Sequence, residues 1–153
     1  MENKFENFRK FDKPRAVICD LDGTLCLFEK EDKSKSNYRN PYDASTCGND
    51  LVNEAVMRVL YGCGCKVVLV SGRENKYRPQ TEEWLKRYNI NYVDLFMRQT
   101  SDNRKDSIVK REIYDKEIKD KYNVFFVLDD RDQVVKMWRE LGLTCFQVAE
   151  GNF

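Results

Sequence analysis

Apolar and polar positions fall in blocks along the chain. Three apolar runs stand out: Ala16-Val17-Ile18-Cys19 ending in Asp20, Lys66 to Val70 ending in Ser71-Gly72, and Val124 to Leu128 ending in Asp129-Asp130. Runs of this length, rich in β-branched and aromatic residues, predict strands buried on both faces, as in a parallel sheet. Two weaker candidates run from Tyr92 to Met97 and from Thr144 to Ala149. Between the runs the apolar period becomes helical. Val52, Ala55, Val56, Val59 and Leu60 share one stripe, with Asn49 or Asp50 available as its cap. Val134, Val135, Met137, Trp138 and Leu141 share another, stopped by Gly142. Trp84, Leu85 and Tyr88 mark a third helix, and Ile108 to Tyr122 a more ragged fourth. This alternation predicts an α/β fold, a Rossmann-like parallel sheet of about five strands with helices on both faces. The site of such a fold lies at the carboxyl ends of the strands. Three of the predicted strands end there in Asp or Ser.

At 153 residues the chain suits one domain, expected over 14–153, preceded by a polar arm over 1–13 with scattered phenylalanines. The net charge of +1 neither suggests nor excludes a nucleic-acid partner, because binding depends on where the charge lies. The absence of histidine is more decisive. It removes Ser-His-Asp and Cys-His catalysis, histidine-ligated zinc and phosphohistidine chemistry, and leaves acid–base work to carboxylates, Lys, Tyr or Cys. The six cysteines are Cys19, Cys26, Cys47, Cys63, Cys65 and Cys145. Cys63-Gly64-Cys65 could be half of a metal site, but with no second pair at a suitable spacing, turn or core cysteines are the expectation. No signal peptide opens the chain and no apolar run approaches a membrane span, so reduced thiols, a cytoplasmic setting and no membrane contact are expected.

The chemistry concentrates where the strands end. Asp20 and Asp22 lie two apart on a strand, so both carboxylates point the same way, and Gly23 permits the turn that follows. Asp129 and Asp130 end another buried strand. Such convergence is costly unless a cation neutralises it, and all-oxygen ligands favour Mg²⁺. Thr24 and Ser71 offer hydroxyls to phosphate oxygens, Lys105 a positive charge, and Arg73 and Arg39 forks for a phosphate. Blander readings stand beside these: a solvated acidic turn at Asp20–Gly23, a helix cap at Asp102, a solvated lysine at Lys105, and core roles for Trp84 and Trp138.

The order of these elements resembles the haloacid dehalogenase phosphohydrolases. It runs Val17-Ile18-Cys19-Asp20-Leu21-Asp22-Gly23-Thr24, Leu69-Val70-Ser71-Gly72-Arg73, Lys105, then Val127-Leu128-Asp129-Asp130. Over nearly all of 13–153 the chain is similar to the 3′-phosphatase half of phage-type polynucleotide kinase. That likeness rests on Asn40-Pro41-Tyr42-Asp43, Val70 to Glu74, Arg104-Lys105-Asp106, Asp129-Asp130-Arg131, Val134 to Arg139 and Gln147 to Gly151. The kinase half's GxxxxGK[ST] loop is not in this sequence. The stretch from Phe28 to Tyr38 is longer and more polar than the resemblance would have it.

The resemblance implies a mechanism. Asp20 attacks phosphorus, and Asp22 protonates the leaving oxygen and then takes a proton from water. Mg²⁺ binds Asp20, the backbone carbonyl of Asp22, and Asp129, while Asp130 supports the metal or orients Lys105. Thr24, Ser71, Gly72 and Lys105 hold the phosphoryl group, and Arg39, Arg73 and Asp102 face the substrate. It also implies 3′ ends of DNA or RNA as substrate, with a separate kinase or ligase for any further step. A small-molecule phosphatase and a silent phosphate-binding module are the alternatives. The insert from Leu25 to Asn49 is too short for a cap domain, which suits an open site and the end of a polymer.

Overall fold

The computed structural model describes residues 12–153, so all but the last two residues of the expected N-terminal arm lie outside it. Five strands, β1 (Arg15–Cys19), β4 (Lys66–Glu74), β5 (Asp94–Arg98), β6 (Asn123–Asp129) and β7 (Cys145–Gln147), form one parallel sheet in the order β5-β4-β1-β6-β7. A parallel strand needs a crossover to its neighbour, and the helical patterns supply one each time. They are α1 (Glu54–Gly62), α2 (Arg78–Arg87), α3 (Asp106–Ile113) and α4 (Asp132–Glu140).

The period of two in β1 divides the core. Val17 and Cys19 point into one cluster with Val56, Leu60, Trp84 and Leu85, against α1 and α2. Ala16 and Ile18 point into the other with Val134, Val135 and Trp138, against α4. Both faces are therefore covered, and this is why β1 shows no polar alternation. Trp84 and Trp138 are fully buried. Truncating either to alanine would cost about 3–5 kcal/mol.

Two boundaries differ from the sequence expectation, for local reasons. Val52 belongs not to α1 but to a short strand, β3 (Leu51–Val52), antiparallel to β2 (Cys26–Leu27). The helix cap is accordingly Asn53, whose side chain accepts from Val56 N at 3.5 Å and donates to the Thr24 carbonyl at 2.9 Å. Asp50, one of the two expected caps, is buried in a salt-bridge network instead. The fourth helix is shorter than expected, since α3 passes into a single π-helical stretch, Tyr114–Ile118. The stop at Gly142 is as expected, with a φ of 82° that favours glycine.

The insert between β2 and β3 folds as a loop rather than a domain. It is pinned at Arg39–Asp50 and by the Trp84 indole, which donates to the Asp50 carbonyl at 2.8 Å. All six cysteines are free thiols. Among the described residues, no helix is long and apolar enough to cross a membrane.

Candidate active site

Register sets the site. Cys19 of β1 pairs with Leu69 of β4 and Leu128 of β6, so the residues that follow emerge level at one edge. The Asp20 backbone N–H donates to the Leu128 carbonyl at 3.0 Å. The chain then turns at Gly23, whose φ is 83°. A side chain there would collide with the Asp130 carboxylate. The turn thus needs glycine for its backbone and for the approach of an acidic group.

Asp20, Asp129 and Asp130 are buried and bring carboxylate oxygens within 4.8 Å of one another. The cation that meets them is Lys110, with Nζ at 2.8 Å from Asp20 Oδ1 and 2.9 Å from Asp129 Oδ2. Lys105, the lysine expected from the motif order, is exposed at the N-cap of α3 and lines the cavity mouth. The reason is helical spacing. Lys110 lies four residues after Asp106, so the two share a face, with Nζ 3.5 Å from Asp106 Oδ2. That face points at the strand ends, and Lys105 precedes it by more than a turn. Asp106 also takes Arg98 Nη2 at 3.2 Å, and it sits so close to Gly72 that any side chain at Gly72 would strike it.

The two neighbouring aspartates at the end of β6 are not equivalent. Every oxygen of Asp129 is engaged by protein. Oδ1 accepts from the backbone N–H of Asp130 (3.0 Å) and Arg131 (3.3 Å), and Oδ2 from Lys110 and, at 3.2 Å, the Trp138 indole. The Asp130 carboxylate receives, among the described residues, only the Thr24 hydroxyl, at 3.2 Å on Oδ1. Thr24 is itself fully buried, and its hydroxyl lies 3.1 Å from Asp20 Oδ2. Ser71 is also fully buried, and its oxygen accepts from Arg73 N at 3.1 Å.

Arg39 and Arg73 turn inward rather than out to solvent. Arg73 forks Asp22, with Nε at 3.0 and 3.1 Å from its two oxygens and Nη2 at 2.6 Å. Arg39 forks Asp50 and also reaches Asp22 at 2.5 Å, while Arg73 reaches Asp50 at 3.0 Å. Two carboxylates and two guanidiniums thus close a neutral network, buried except at Asp22, which stays partly open to the cavity. The forks expected to hold phosphate hold the second aspartate of the first motif. Arg73 still lines the cavity. Arg39 does not, and its guanidinium lies 3.6 Å above the Phe28 ring. Asp102 borders the cavity too, but its carboxylate is held by Arg104 (2.8 Å) rather than capping a helix. That pairing takes its carboxyl down to about 2.

Electrostatics follow from burial. Desolvation pushes the Asp20 carboxyl well above the ordinary range, with Lys110 opposing the rise and Asp129 and Asp130 adding to it. Burial works against the charge on Lys110, yet Asp106, Asp129 and Asp20 outweigh it and hold the ammonium protonated. Burial also works on Asp22, but Arg73 and then Arg39 overcome it and keep that carboxyl below its ordinary value. Three converging carboxylates against one ammonium leave a deficit of positive charge in a buried, all-oxygen site. That is the environment a hard divalent cation fits.

A cavity of about 480 Å³ opens over these residues. The polynucleotide kinase PNKP phosphatase domain model matches residues 14–153. The chain belongs to this family. It is therefore a phosphatase of the haloacid dehalogenase type, as the DxDGT and SGR motifs imply. It is similar to chains in two solved structures of Pnkp1/Rnl/Hen1 complexes, one of them described as an RNA repair complex. The first is 53% identical with a TM-score of 0.84, over 92% of this chain and 44% of that one. The second is 51% identical with a TM-score of 0.82, over 93% and 48%. A candidate bifunctional polynucleotide kinase/RNA ligase of Autographa californica nuclear polyhedrosis virus is 36% identical over 141 residues, 89% of this chain and 20% of the viral protein. The chain thus spans under half the length of the solved relatives and about a fifth of the viral one.

Sequence reasoning missed Lys110, Asp106, Asp50 and Trp138 as parts of the site. For the first two a signal existed. Asp106 and Lys110 lie four residues apart on the buried face of α3, an unusual place for a charged pair.

Proposed function

We propose that the protein removes 3′-phosphates from nucleic-acid ends through an aspartyl-phosphate on Asp20, with Mg²⁺ as cofactor. The observation that carries this reading is the placement of Asp20. It is buried at a strand end between a charged lysine and a hydroxyl, with the two-arginine-bound Asp22 two residues on. Lys110 opposes the burial that raises the Asp20 carboxyl and so favours the carboxylate, the form that attacks phosphorus. An oxygen of Asp20 bonds to phosphorus as the bond to the 3′-oxygen breaks, and that oxygen takes a proton from Asp22. Water then attacks the acyl-phosphate phosphorus, gives its proton to Asp22, and releases inorganic phosphate and free Asp20. Held below its ordinary range by Arg73 and Arg39, Asp22 is suited to the second step as a base. It acquires the proton for the first step when the substrate's negative charge arrives beside it.

Asp20 and Asp130, with the Asp22 carbonyl, would hold the magnesium ion. When bound it supplies charge neutralisation for the carboxylates and the phosphoryl oxygens. Asp129, fully occupied by protein donors, orients Lys110. This reading exchanges the expectation that Asp129 is the metal ligand for one in which Asp130 is, because Asp129 is the more fully hydrogen-bonded of the two. Lys105 brings positive charge to the cavity wall, where Arg73 and Arg104 are already paired with carboxylates.

The relatives support nucleic-acid ends as the substrate class, RNA in particular, and kinase or ligase steps supplied by other domains or chains. The insert lines one wall of the cavity without closing it, which leaves room for a chain end. The test is a matched pair of oligonucleotides labelled at the 3′- or the 5′-phosphate, with and without Mg²⁺. Release from the 3′ end alone, dependent on Mg²⁺, is expected. Equal release from both ends, or a preference for a sugar phosphate, would replace this reading with a small-molecule phosphatase.

A further inference from the structure

The two tryptophans, the obvious candidates for stacking on a base, are fully buried. Aromatic surface stands elsewhere, at the cavity mouth. Tyr42 is 82% exposed and lines the cavity on the insert side. Burial does not explain its position, since an aromatic ring left in water contributes little to folding.

The backbone beneath it is rigid. Asn40 Oδ1 accepts from Tyr42 N at 2.9 Å, and the Asn40 carbonyl accepts from Asp43 N at 3.0 Å, closing a turn with Pro41 at its second position. One end of the turn leads to Arg39, locked onto Asp50 and Asp22. The other leads to Ala44, which is buried. Asp43 Oδ1 accepts from Ser45 N at 2.9 Å. Tyr77 is a second cavity-lining ring, at the end of the loop after β4, and Lys76 Nζ lies 4.9 Å from its centroid. An exposed ring is thus set on a hydrogen-bonded turn, three residues from the arginine that holds Asp22, with Tyr77 lining the same cavity.

We infer that Tyr42, supported by Tyr77, is a stacking site for the nucleobase of the terminal nucleotide whose phosphate enters the carboxylate pocket. The inference rests on the reading that nucleic-acid ends are the substrate. A ring is a sequence-tolerant platform, because every base presents a flat π face. It discriminates a nucleotide end from a bare phosphomonoester without reading sequence. It also fits a chain of near-zero net charge, which has little long-range attraction for a polyanion and must gain affinity locally.

The test compares two oligonucleotides with a 3′-phosphate, one on a normal terminal nucleotide and one on an abasic terminal residue, with glycerol 2-phosphate as a third substrate. The wild-type protein should favour the base-bearing end by about tenfold in kcat/KM, a modest value for loss of one base–aromatic stack, with the difference in KM. Tyr42→Ala should bring that ratio close to one, and Tyr42→Phe should keep it, which separates the ring from the hydroxyl. A wild-type ratio near one overturns the stacking site. So does a Tyr42→Ala protein that keeps the wild-type ratio, whatever its overall rate. Hydrolysis of glycerol 2-phosphate but of neither oligonucleotide by the wild type overturns the proposed substrate class, and the stacking site with it.

Discussion

The indole nitrogen of Trp138 donates to the Asp129 carboxylate at 3.2 Å, on the same oxygen that receives Lys110. A core tryptophan of α4 is thereby a positioning residue for the charged cluster. Trp138→Phe keeps most of the apolar volume and the edge-on contact with Tyr114, and removes only the donor. A hydrogen bond to a charged group is worth about 1.5–3 kcal/mol, and Trp138 gives one to the carboxylate that orients Lys110. We expect Trp138→Phe to raise the Mg²⁺ concentration needed for half-maximal rate, or to lower kcat, with KM for substrate unchanged and folding retained by circular dichroism. A Mg²⁺ titration and kcat indistinguishable from wild type would confine Trp138 to packing.

The nucleophile assignment predicts that Asp20→Asn abolishes turnover while the sheet survives, because asparagine is isosteric and the site stays hydrogen-bonded. Asp22→Asn should slow turnover by about 10²–10⁴-fold, the usual worth of a positioned acid–base group. Rapid-quench trapping followed by peptide mapping should find the phosphoryl adduct on Asp20. An adduct at any other residue would remove Asp20 from its role.

Lys110 and Lys105 make a paired test. Removing one partner of a buried charge cluster costs about 3–5 kcal/mol, because the remaining charges lose their compensation. Lys110→Met should therefore lower both melting temperature and activity sharply. Added Mg²⁺ should recover part of the melting temperature, since a divalent cation answers the same carboxylates. Lys105→Met should cost far less on both counts. Comparable losses in the two variants would restore Lys105 as the site lysine.

Asp129 and Asp130 should separate in the same way. Asp130→Ala leaves the hydrogen bonds to Asp129 in place and removes the carboxylate that few protein donors claim. It should abolish Mg²⁺ binding measured by calorimetry with only a small loss of stability. Asp129→Ala takes one of three carboxylates from Lys110 and leaves the buried Trp138 N–H without its acceptor, and should destabilise the fold by several kcal/mol. EDTA should silence the wild-type enzyme and Mg²⁺ restore it. Mg²⁺ binding retained in Asp130→Ala would return the ligand role to Asp129.

The sequence alone determined the sheet and the edge at which its chemistry gathers. Apolar runs buried on both faces allow only a covered parallel sheet, and an aspartate at the end of such a run has no place but the strand's carboxyl end. Asp20, Asp22, Ser71, Asp129 and Asp130 were legible for that reason. Which side chain meets which was decided only by tertiary structure. Lys105 and Lys110 are both lysines near one helix start, and only the rotation of α3 against β4 and β6 selects Lys110. Arg39 and Arg73 read as phosphate forks because nothing in one dimension shows that Asp50, from the far end of the insert, arrives between them. Nor does any local pattern distinguish Asp129 from Asp130, since that difference lies in a lysine and a tryptophan brought in by two separate helices. Strand burial is a local consequence of side-chain chemistry. Pairing among charges depends on distances of an ångström, set by the packing of elements far apart in the chain.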